Sequence, residues 1–391
     1  MERPKNTELE RIAREDYTTK SAQRDKEKNY YAQKLQEAGL KSLKRFLDYC
    51  PDPSKSMASG FTYAHRDLEL VAEAIAEDKP WAVVSGLNPS GPLHMGHKAI
   101  FDELLWMQRH GAELFIPITN DESYAVGKVK SLSDSRRIAY EDVIPSIIAM
   151  GFNSKKTHIF VDSDYPDIYN VAMDLSTKLT LNKVFRVFGL NEKDDGENPG
   201  TMFYRAAVQV AQILLPQYPE FGGPKPTLIP VGIDQHPYIL LARDVAEKKG
   251  FIPPAEIVTK FLLGLDGQGK MSTSREGSAI FLNDDGNVAE KKLRSSYTGG
   301  SPLSEFQRQN GGIPEICPVG GLRACHFEQG ADVFANCLDG KLLCGECKGL
   351  AIKDTKNYLH DHQNQLLDAK KRTAEFILTT KIRSMLDYDG K

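Results

Sequence analysis

Between about residues 61 and 285 short apolar runs alternate with helix-patterned segments, and this alternation constrains the fold more than any single motif. "WAVVSG" reads as a strand ending at Gly86, and residues 98–110 place Ile100, Phe101, Leu104 and Leu105 at helical spacing before Gly111 stops them. "ELFIPIT" is the next strand, weakened by Pro117, which cannot donate to a ladder. "SDSRRIAYEDVIPSIIAMG" predicts a second amphipathic helix capped by Ser133 or Asp134, and "THIFV" a third strand. A helical insert over about 166–220 precedes "PTLIPVGIDQ", a fourth strand, and "HPYILLARDVAEKKG", its following helix. Repetition of strand, helix, strand predicts a parallel sheet covered on both faces, with ligands collecting at the carboxyl ends of its strands.

The flanks differ. Residues 1–50 are charged, net basic and helix-patterned, and "CPDPSKSMASG" follows as a linker. Beyond about residue 286 the alternation ends, and "LAIKDTKNYLHDHQNQLLDAKKRTAEFI" is amphipathic, predicting a mainly helical C-terminal domain. The N-terminus has no apolar h-region and no stretch approaches the ~18 apolar residues of a membrane span, so the expected location is cytoplasmic with no membrane partner. A formal charge of −3 gives no global basic field, and charge alone neither supports nor excludes RNA binding.

Two loops carry the chemistry. "PSGPLHMGHKAIF" puts His94 and His97 around Gly96 at a strand-to-helix junction, where free backbone N–H groups and the helix dipole favour an anion. The His-x-x-His spacing lacks the nearby Glu and third ligand of a zinc site, and a Gly/Pro-rich loop is a poor place to pack two histidines, so phosphate binding is the better reading. "GLDGQGKMSTSREGSAIF" places Lys270, Met271, Ser272 and Ser274 in a Gly-rich loop whose lysine can reach a polyphosphate and whose hydroxyls add donors.

His94-Met-Gly-His97 and Lys270-Met-Ser-Thr-Ser274 resemble the HIGH and KMSKS signatures of class I aminoacyl-tRNA synthetases. "GIDQHPYILLARDVA" resembles the GxDQ segment of the tryptophanyl and tyrosyl subclass. "FTYAHRDLE", "ITNDESY", "VQVAQILLPQ", "SYTGG" and "CLDGKLLCGECK" resemble the archaeal and eukaryotic tryptophanyl-tRNA synthetases over roughly residues 60–391. The resemblance implies a Rossmann-type α/β catalytic domain over 61–285. A charged helical extension and linker over 1–60 would precede it, and a helical anticodon-binding domain over 286–391 would follow. It implies that His94 and His97 hold ATP phosphates, that Gly96 makes room for the nucleotide, and that Lys270 stabilises the departing pyrophosphate with Met271, Ser272 and Ser274 beside it. Gly232 and Asp234 would contact adenosine, Gln209 and Gln235 the α-amino group, and Glu122 and Tyr124 the amino-acid pocket. ATP with Mg²⁺, tryptophan and tRNA(Trp) are the implied partners, and a homodimer the implied assembly.

The specificity positions are less decisive. Archaeal-type tyrosyl enzymes hold the phenol with a Tyr and an Asp where this chain has Val84 and Gln212, which argues against tyrosine because a buried phenol would go unpaired. Gln212 can accept an indole N–H instead. Eukaryotic tryptophanyl enzymes place a Tyr and a Gln where Val84 and Pro117 stand, so the indole pocket departs from that pattern as well. The alternatives are a tyrosyl enzyme or a synthetase-derived binding protein, although His94, His97, Asp234 and Lys270 are all in place and only Thr273 departs from the second signature lysine.

Five of the six cysteines lie within residues 317–347, a crowding unlike a secreted disulfide framework. Cys317, Cys337, Cys344 and Cys347 form a Cys-x19-Cys-x6-Cys-x2-Cys set suited to zinc or a 4Fe-4S cluster, and the spacing resembles an iron–sulfur motif of some tryptophanyl-tRNA synthetases. Cys325 with His326 is the competing ligand set.

Overall fold

The computed structural model describes residues 4–48, 50–190, 198–275, 277–327 and 330–384. The chain divides into two compact units and passes into each more than once: one takes residues up to Ala64, Leu93–Glu103 and Thr259–Asn364, the other His65–Pro92, Leu104–Val258 and the chain from Gln365 onward. No described helix is long and apolar enough to cross a membrane.

The second unit holds the sheet anticipated from the alternation. Its strands run Ala255–Thr259, Thr227–Val231, Ala82–Val84, Glu113–Ile118, Thr157–Val161, all parallel. The chain builds outward from Ala82–Val84 in one direction and returns to add strands on its other side. The order therefore reverses between Ala82–Val84 and Thr227–Val231, and ligands of such sheets bind outside the carboxyl ends at that point. Pro117 sits inside Glu113–Ile118 without breaking it, because Ala82–Val84 ends its pairing at Phe115 and only Leu87 N–H then reaches the Pro117 carbonyl, at 3.1 Å. One ladder donor is lost where the neighbouring strand has already finished. The strand Ala255–Thr259 and a further strand, Thr62–Arg66, were not read from the sequence.

The helix that follows is capped by Ser131, whose hydroxyl accepts from the Asp134 N–H at 3.0 Å, rather than by Ser133 or Asp134. It runs Leu132–Ile138, widens into a π turn over Ala139–Val143 and resumes at Ile144–Ile148. Proline at 145 lacks the N–H that a continuous α ladder would use, which accounts for a widened turn just before it. The insert forms helices Asp167–Ser176, Leu181–Phe188, Pro199–Phe203 and Gln209–Leu214. Their apolar faces bury Ile168, Val171, Leu175, Val208 and Ile213 with Phe115 and Phe160 of the sheet.

The first unit is mainly helical, with Pro4–Glu37, Pro318–His326 and Cys344–Arg372 among its helices. Phe61, Ala99, Leu262, Ala324 and Cys325 form a core cluster with Phe334 against it. The segment expected as a linker contains a short helix, Lys55–Ala58, capped by Ser54. That hydroxyl also donates to Glu103 at 2.5 Å, and Thr62 donates to the same carboxyl at 3.2 Å.

Burial pushes the Glu103 carboxyl up to about 7, against which two hydroxyl donors are not enough. A folded-state pKa raised above the unfolded value means the folded chain binds the extra proton between about pH 4.5 and 7. Stability from this group is therefore complete below that window and falls as pH rises through it, by up to about 1.4 kcal/mol per unit. Glu103→Gln keeps the shape and removes the titration. Urea denaturation should show it more stable than the wild type at pH 8.5, by about 1–3 kcal/mol, and indistinguishable at pH 4.5. Equal curves at both pH values would mean the carboxyl is not buried.

Candidate active site

The two signature loops meet in the first unit. The chain enters helix Met95–Arg109 through Leu93 and His94, which pair with the segment following the Lys270 loop: Met95 N–H donates to the Ile280 carbonyl at 2.9 Å and Leu282 N–H to Leu93 at 2.8 Å. An added Cβ on Gly96 would lie 3.4 Å from the Met271 Cβ, so the loops are in van der Waals reach. Met271 is buried and its N–H donates to the Leu262 carbonyl at 3.0 Å, while Lys270 beside it is exposed, with its ammonium 4.5 Å from the Phe261 ring centroid. A buried methionine thus fixes the backbone from which an exposed lysine reaches out. Ser272 and Ser274 hydroxyls lie 2.9 Å apart, and the Arg275 guanidinium braces the loop by donating to the Lys270 carbonyl at 2.7 Å.

Backbone donors set the tautomers of both histidines. Gly96 N–H donates to His94 Nδ1 at 3.1 Å and His94 N–H donates to His97 Nδ1 at 3.2 Å, which leaves the proton of each neutral ring on Nε2. The rings stack with centroids 3.8 Å apart. Burial, opposed by the backbone hydrogen bond and assisted by the Lys270 charge, holds the His94 imidazole down at about 4, so it is neutral at physiological pH. It is equipped to donate a hydrogen bond, not to carry a charge.

The remaining candidates lie in the second unit. Gly232 starts a 3₁₀ turn, Ile233–Gln235, at the carboxyl end of Thr227–Val231, and the helix His236–Lys249 follows at once. Asp234 is exposed on that turn. The helix start is anchored by a contact absent from the sequence reading: His236 Nδ1 lies 2.9 Å from Glu256, a fully buried carboxylate that also accepts from Arg66 Nε at 3.0 Å. Gln209 and Gln235 come together, the Gln209 amide donating to the Gln235 oxygen at 3.3 Å. Glu122 accepts from Asn88 at 2.7 Å and Thr119 at 3.2 Å, and burial raises its carboxyl pKa. Asn88 accepts from Ser123 at 2.8 Å as well, so one loop amide sets the first turn of helix Asn120–Ala125. Tyr124, on the same helix, is exposed.

Gln212 is buried and engaged at both ends of its amide. It donates to Asp162 Oδ2 at 2.6 Å and accepts from the Tyr204 hydroxyl at 3.1 Å. Asp162 Oδ1 has no partner among the described residues, and burial, with Asp121 and Glu122 nearby, drives its pKa well up. The strand "THIFV" pointed to this end of the sheet, but nothing in its pattern distinguished Asp162. Gln212→Met should cost about 1–3 kcal/mol in urea denaturation, because two buried polar groups lose their partner at once. A cost under 0.5 kcal/mol would mean the amide is not holding the network.

The four cysteines line one small cavity, with about 10 Å³ of room for a water-sized sphere. Gly300 and Gly312 form walls that a side chain would close: an added Cβ would stand 2.2 Å from Cys344 Sγ and 2.7 Å from Cys337 Sγ respectively. Gly320 N–H donates to Cys317 Sγ at 3.3 Å and Arg323 to Cys347 Sγ at 3.8 Å. Among the described residues no three His, Cys, Asp or Glu side chains close around a single metal ion. The competing pair is dispersed, Cys325 into the apolar cluster and His326 Nδ1 onto Asp102 at 2.8 Å.

The family of class I tRNA synthetases (W and Y) matches residues 76–360. A tryptophan–tRNA ligase of Pyrobaculum calidifontis is 36% identical over 90% of this chain and 93% of its own, and that of Methanocaldococcus jannaschii is 34% identical over 87% and 93%. The chain belongs to the tryptophanyl-tRNA synthetase family. Its fold agrees: the crystal structure of tryptophanyl-tRNA synthetase from Aeropyrum pernix superposes with a TM-score of 0.79 at 32% identity, covering 89% of this chain and 96% of that one. As a tryptophanyl-tRNA synthetase the chain is an aminoacyl-tRNA ligase of class I fold, in a family that uses ATP and Mg²⁺.

Proposed function

We propose that this chain joins tryptophan to the α-phosphorus of ATP and passes the aminoacyl group to tRNA(Trp), with the two loops of the first unit handling the polyphosphate. The observation that carries this assignment is the packing of Met271 against Gly96, which puts both signature loops in one place with His94 and His97 locked as neutral Nε2–H donors. In the reaction the tryptophan carboxylate attacks the α-phosphorus in line, the bond to the β-phosphate oxygen breaks, and pyrophosphate leaves. A terminal tRNA hydroxyl then displaces AMP. No protein nucleophile takes part, so positioning and charge stabilisation do the work. Lys270 meets charge building on the leaving pyrophosphate, and His94 and His97 donate to phosphate oxygens. Gly96 keeps the nucleotide approach open, with Met271, Ser272 and Ser274 shaping the loop. Gly232 and Asp234 bind adenosine, Gln209 and Gln235 the α-amino group, and Glu122 with Tyr124 borders the amino-acid pocket. Mg²⁺ accompanies the triphosphate. Cytoplasmic residence and a homodimer complete the reading.

The cysteine cavity fits a 4Fe-4S cluster better than zinc. Zinc draws its sulfurs to about 2.3 Å from one centre, whereas these four thiols line one cavity without closing around a single point, beside glycines and N–H donors to sulfur. Bound there, the cluster would brace helices Pro318–His326 and Cys344–Arg372 and leave adenylation to the other loops. Anaerobically purified chain should carry iron and acid-labile sulfide.

ATP–pyrophosphate exchange across the twenty amino acids tests the activity. Exchange with tryptophan alone is the expected result; exchange with tyrosine would reassign the pocket, and no exchange in a chain that binds ATP would overturn the assignment.

A further inference from the structure

The N-terminal helix Pro4–Glu37 covers a second cavity of the first unit, with about 930 Å³ of free space counting its open mouth. Its walls are mostly apolar, with the rings of Tyr31, Tyr63 and Phe261 among them. Two oppositely charged groups, Glu27 and Lys260, face the same space and attract each other without meeting in a hydrogen bond or ion pair. The Glu27 carboxylate makes no hydrogen bond or ion pair among the described residues. The Lys260 ammonium likewise has no ion pair and rests 5.6 Å from the Tyr31 and 5.7 Å from the Tyr63 ring centroids. Of the other lining charges, Arg24 pairs with Asp25 at 2.9 Å and Lys28 with one Glu315 oxygen at 3.0 Å, while the second Glu315 oxygen has no hydrogen-bond partner among the described residues and acts on Lys260 from the same wall.

We propose that this cavity is a ligand site for an aromatic α-amino acid, whose ring lies among Tyr31, Tyr63 and Phe261 while its ammonium meets Glu27 and its carboxylate meets Lys260. A mostly apolar cavity whose Glu27 carboxylate and Lys260 ammonium are not joined in an ion pair is matched by a zwitterion carrying both complements on an aromatic body. Burial raises the Glu27 pKa and lowers that of Lys260 in spite of their mutual attraction and the Glu315 charge, so the existing charges do not offset the desolvation and each group gains from a closer group of opposite charge on a ligand. A neutral aromatic would leave both charges unpaired, and a simple amine or acid would satisfy only one. The site also adjoins the catalytic loop: Phe261, which lines the cavity, carries the Lys270 ammonium 4.5 Å from its ring centroid. The helix Pro4–Glu37 thereby acquires a role that its sequence does not declare.

The test is calorimetric titration of the full chain with L-tryptophan after saturation with a non-hydrolysable tryptophanyl-sulfamoyl adenosine. The expected result is one further binding event per chain, weakened about tenfold or more by Glu27→Gln and by Lys260→Met, each of which removes a charged hydrogen-bond partner. Ala32→Trp, at an exposed position on the cavity wall, should block it, and all three variants should bind the analogue as the wild type does. Absence of a second event at millimolar tryptophan overturns the proposal, as does an event that none of the three variants alters. Failure of the analogue to bind would count against the adenylation reading alone; tryptophan binding to the bare chain, compared across the same variants, would still decide the cavity.

Discussion

Lys270→Met should lower kcat/KM for ATP–pyrophosphate exchange by about 10²–10³ while leaving the KM for tryptophan within about twofold. The side chain is exposed, with its ammonium 4.5 Å from the Phe261 ring centroid, a type of interaction worth about 0.5–1 kcal/mol at such a site. The backbone beneath it does not move freely, because Met271 is buried, its N–H is bonded to Leu262, and Arg275 holds the Lys270 carbonyl. The charge is therefore delivered from a fixed base and used where negative charge develops, so its loss appears in the chemical step. Thr273 stands where the family signature has a second lysine, and the loop's other cation, Arg275, is engaged with the Lys270 carbonyl. The variant should unfold within about 0.5 kcal/mol of the wild type, as exposed substitutions usually do. A decrease below tenfold would show that the pyrophosphate charge is met elsewhere.

What the sequence made legible follows the range of the interactions involved. The parallel strands and the phosphate loops are written in local patterns: apolar runs of strand length, glycines at turns, histidines and a lysine in fixed short motifs. Pairings across long separations are not. Glu256 draws His236 and Arg66 together from distant segments, and Glu103 collects Ser54 and Thr62; each of these residues alone looks like an ordinary polar residue. Asp162 differs from a strand-end turn residue only through its partner Gln212, fifty positions away. The strand Thr62–Arg66 lay hidden because it buries polar residues, Thr62 and His65, in place of an apolar run, with the Thr62 hydroxyl hydrogen-bonded to that of Thr259. The cap at Ser131 was missed by two residues, since "SLSDS" offers three serines and only geometry selects the one that reaches the Asp134 N–H.

Gly96→Ala separates the role of His94 from the stability of the fold. Gly96 occupies the first turn of helix Met95–Arg109 with an ordinary helical backbone, since its φ is not positive. Alanine there is not strained and by propensity favours the helix by up to about 1 kcal/mol. The obstacle is the His94 ring, whose Cε1 and Nδ1 would stand 2.9 Å and 3.0 Å from the new Cβ. That ring cannot retreat easily: it is buried, stacked on His97 at 3.8 Å and set edge-on to Phe281 at 6.1 Å. The methyl group must displace it, which breaks the Gly96 N–H to Nδ1 hydrogen bond that fixes its tautomer and moves the Nε2 donor off the phosphate. Exchange activity should therefore fall about 10²-fold, the scale of one lost transition-state donor, while the thermal midpoint changes by only a few degrees. A stable variant with full activity would show that His94 is a packed core residue. A stable variant that still binds tryptophan but exchanges pyrophosphate a hundredfold more slowly would tie the imidazole to the reaction, because no loss of fold would then account for the loss of rate.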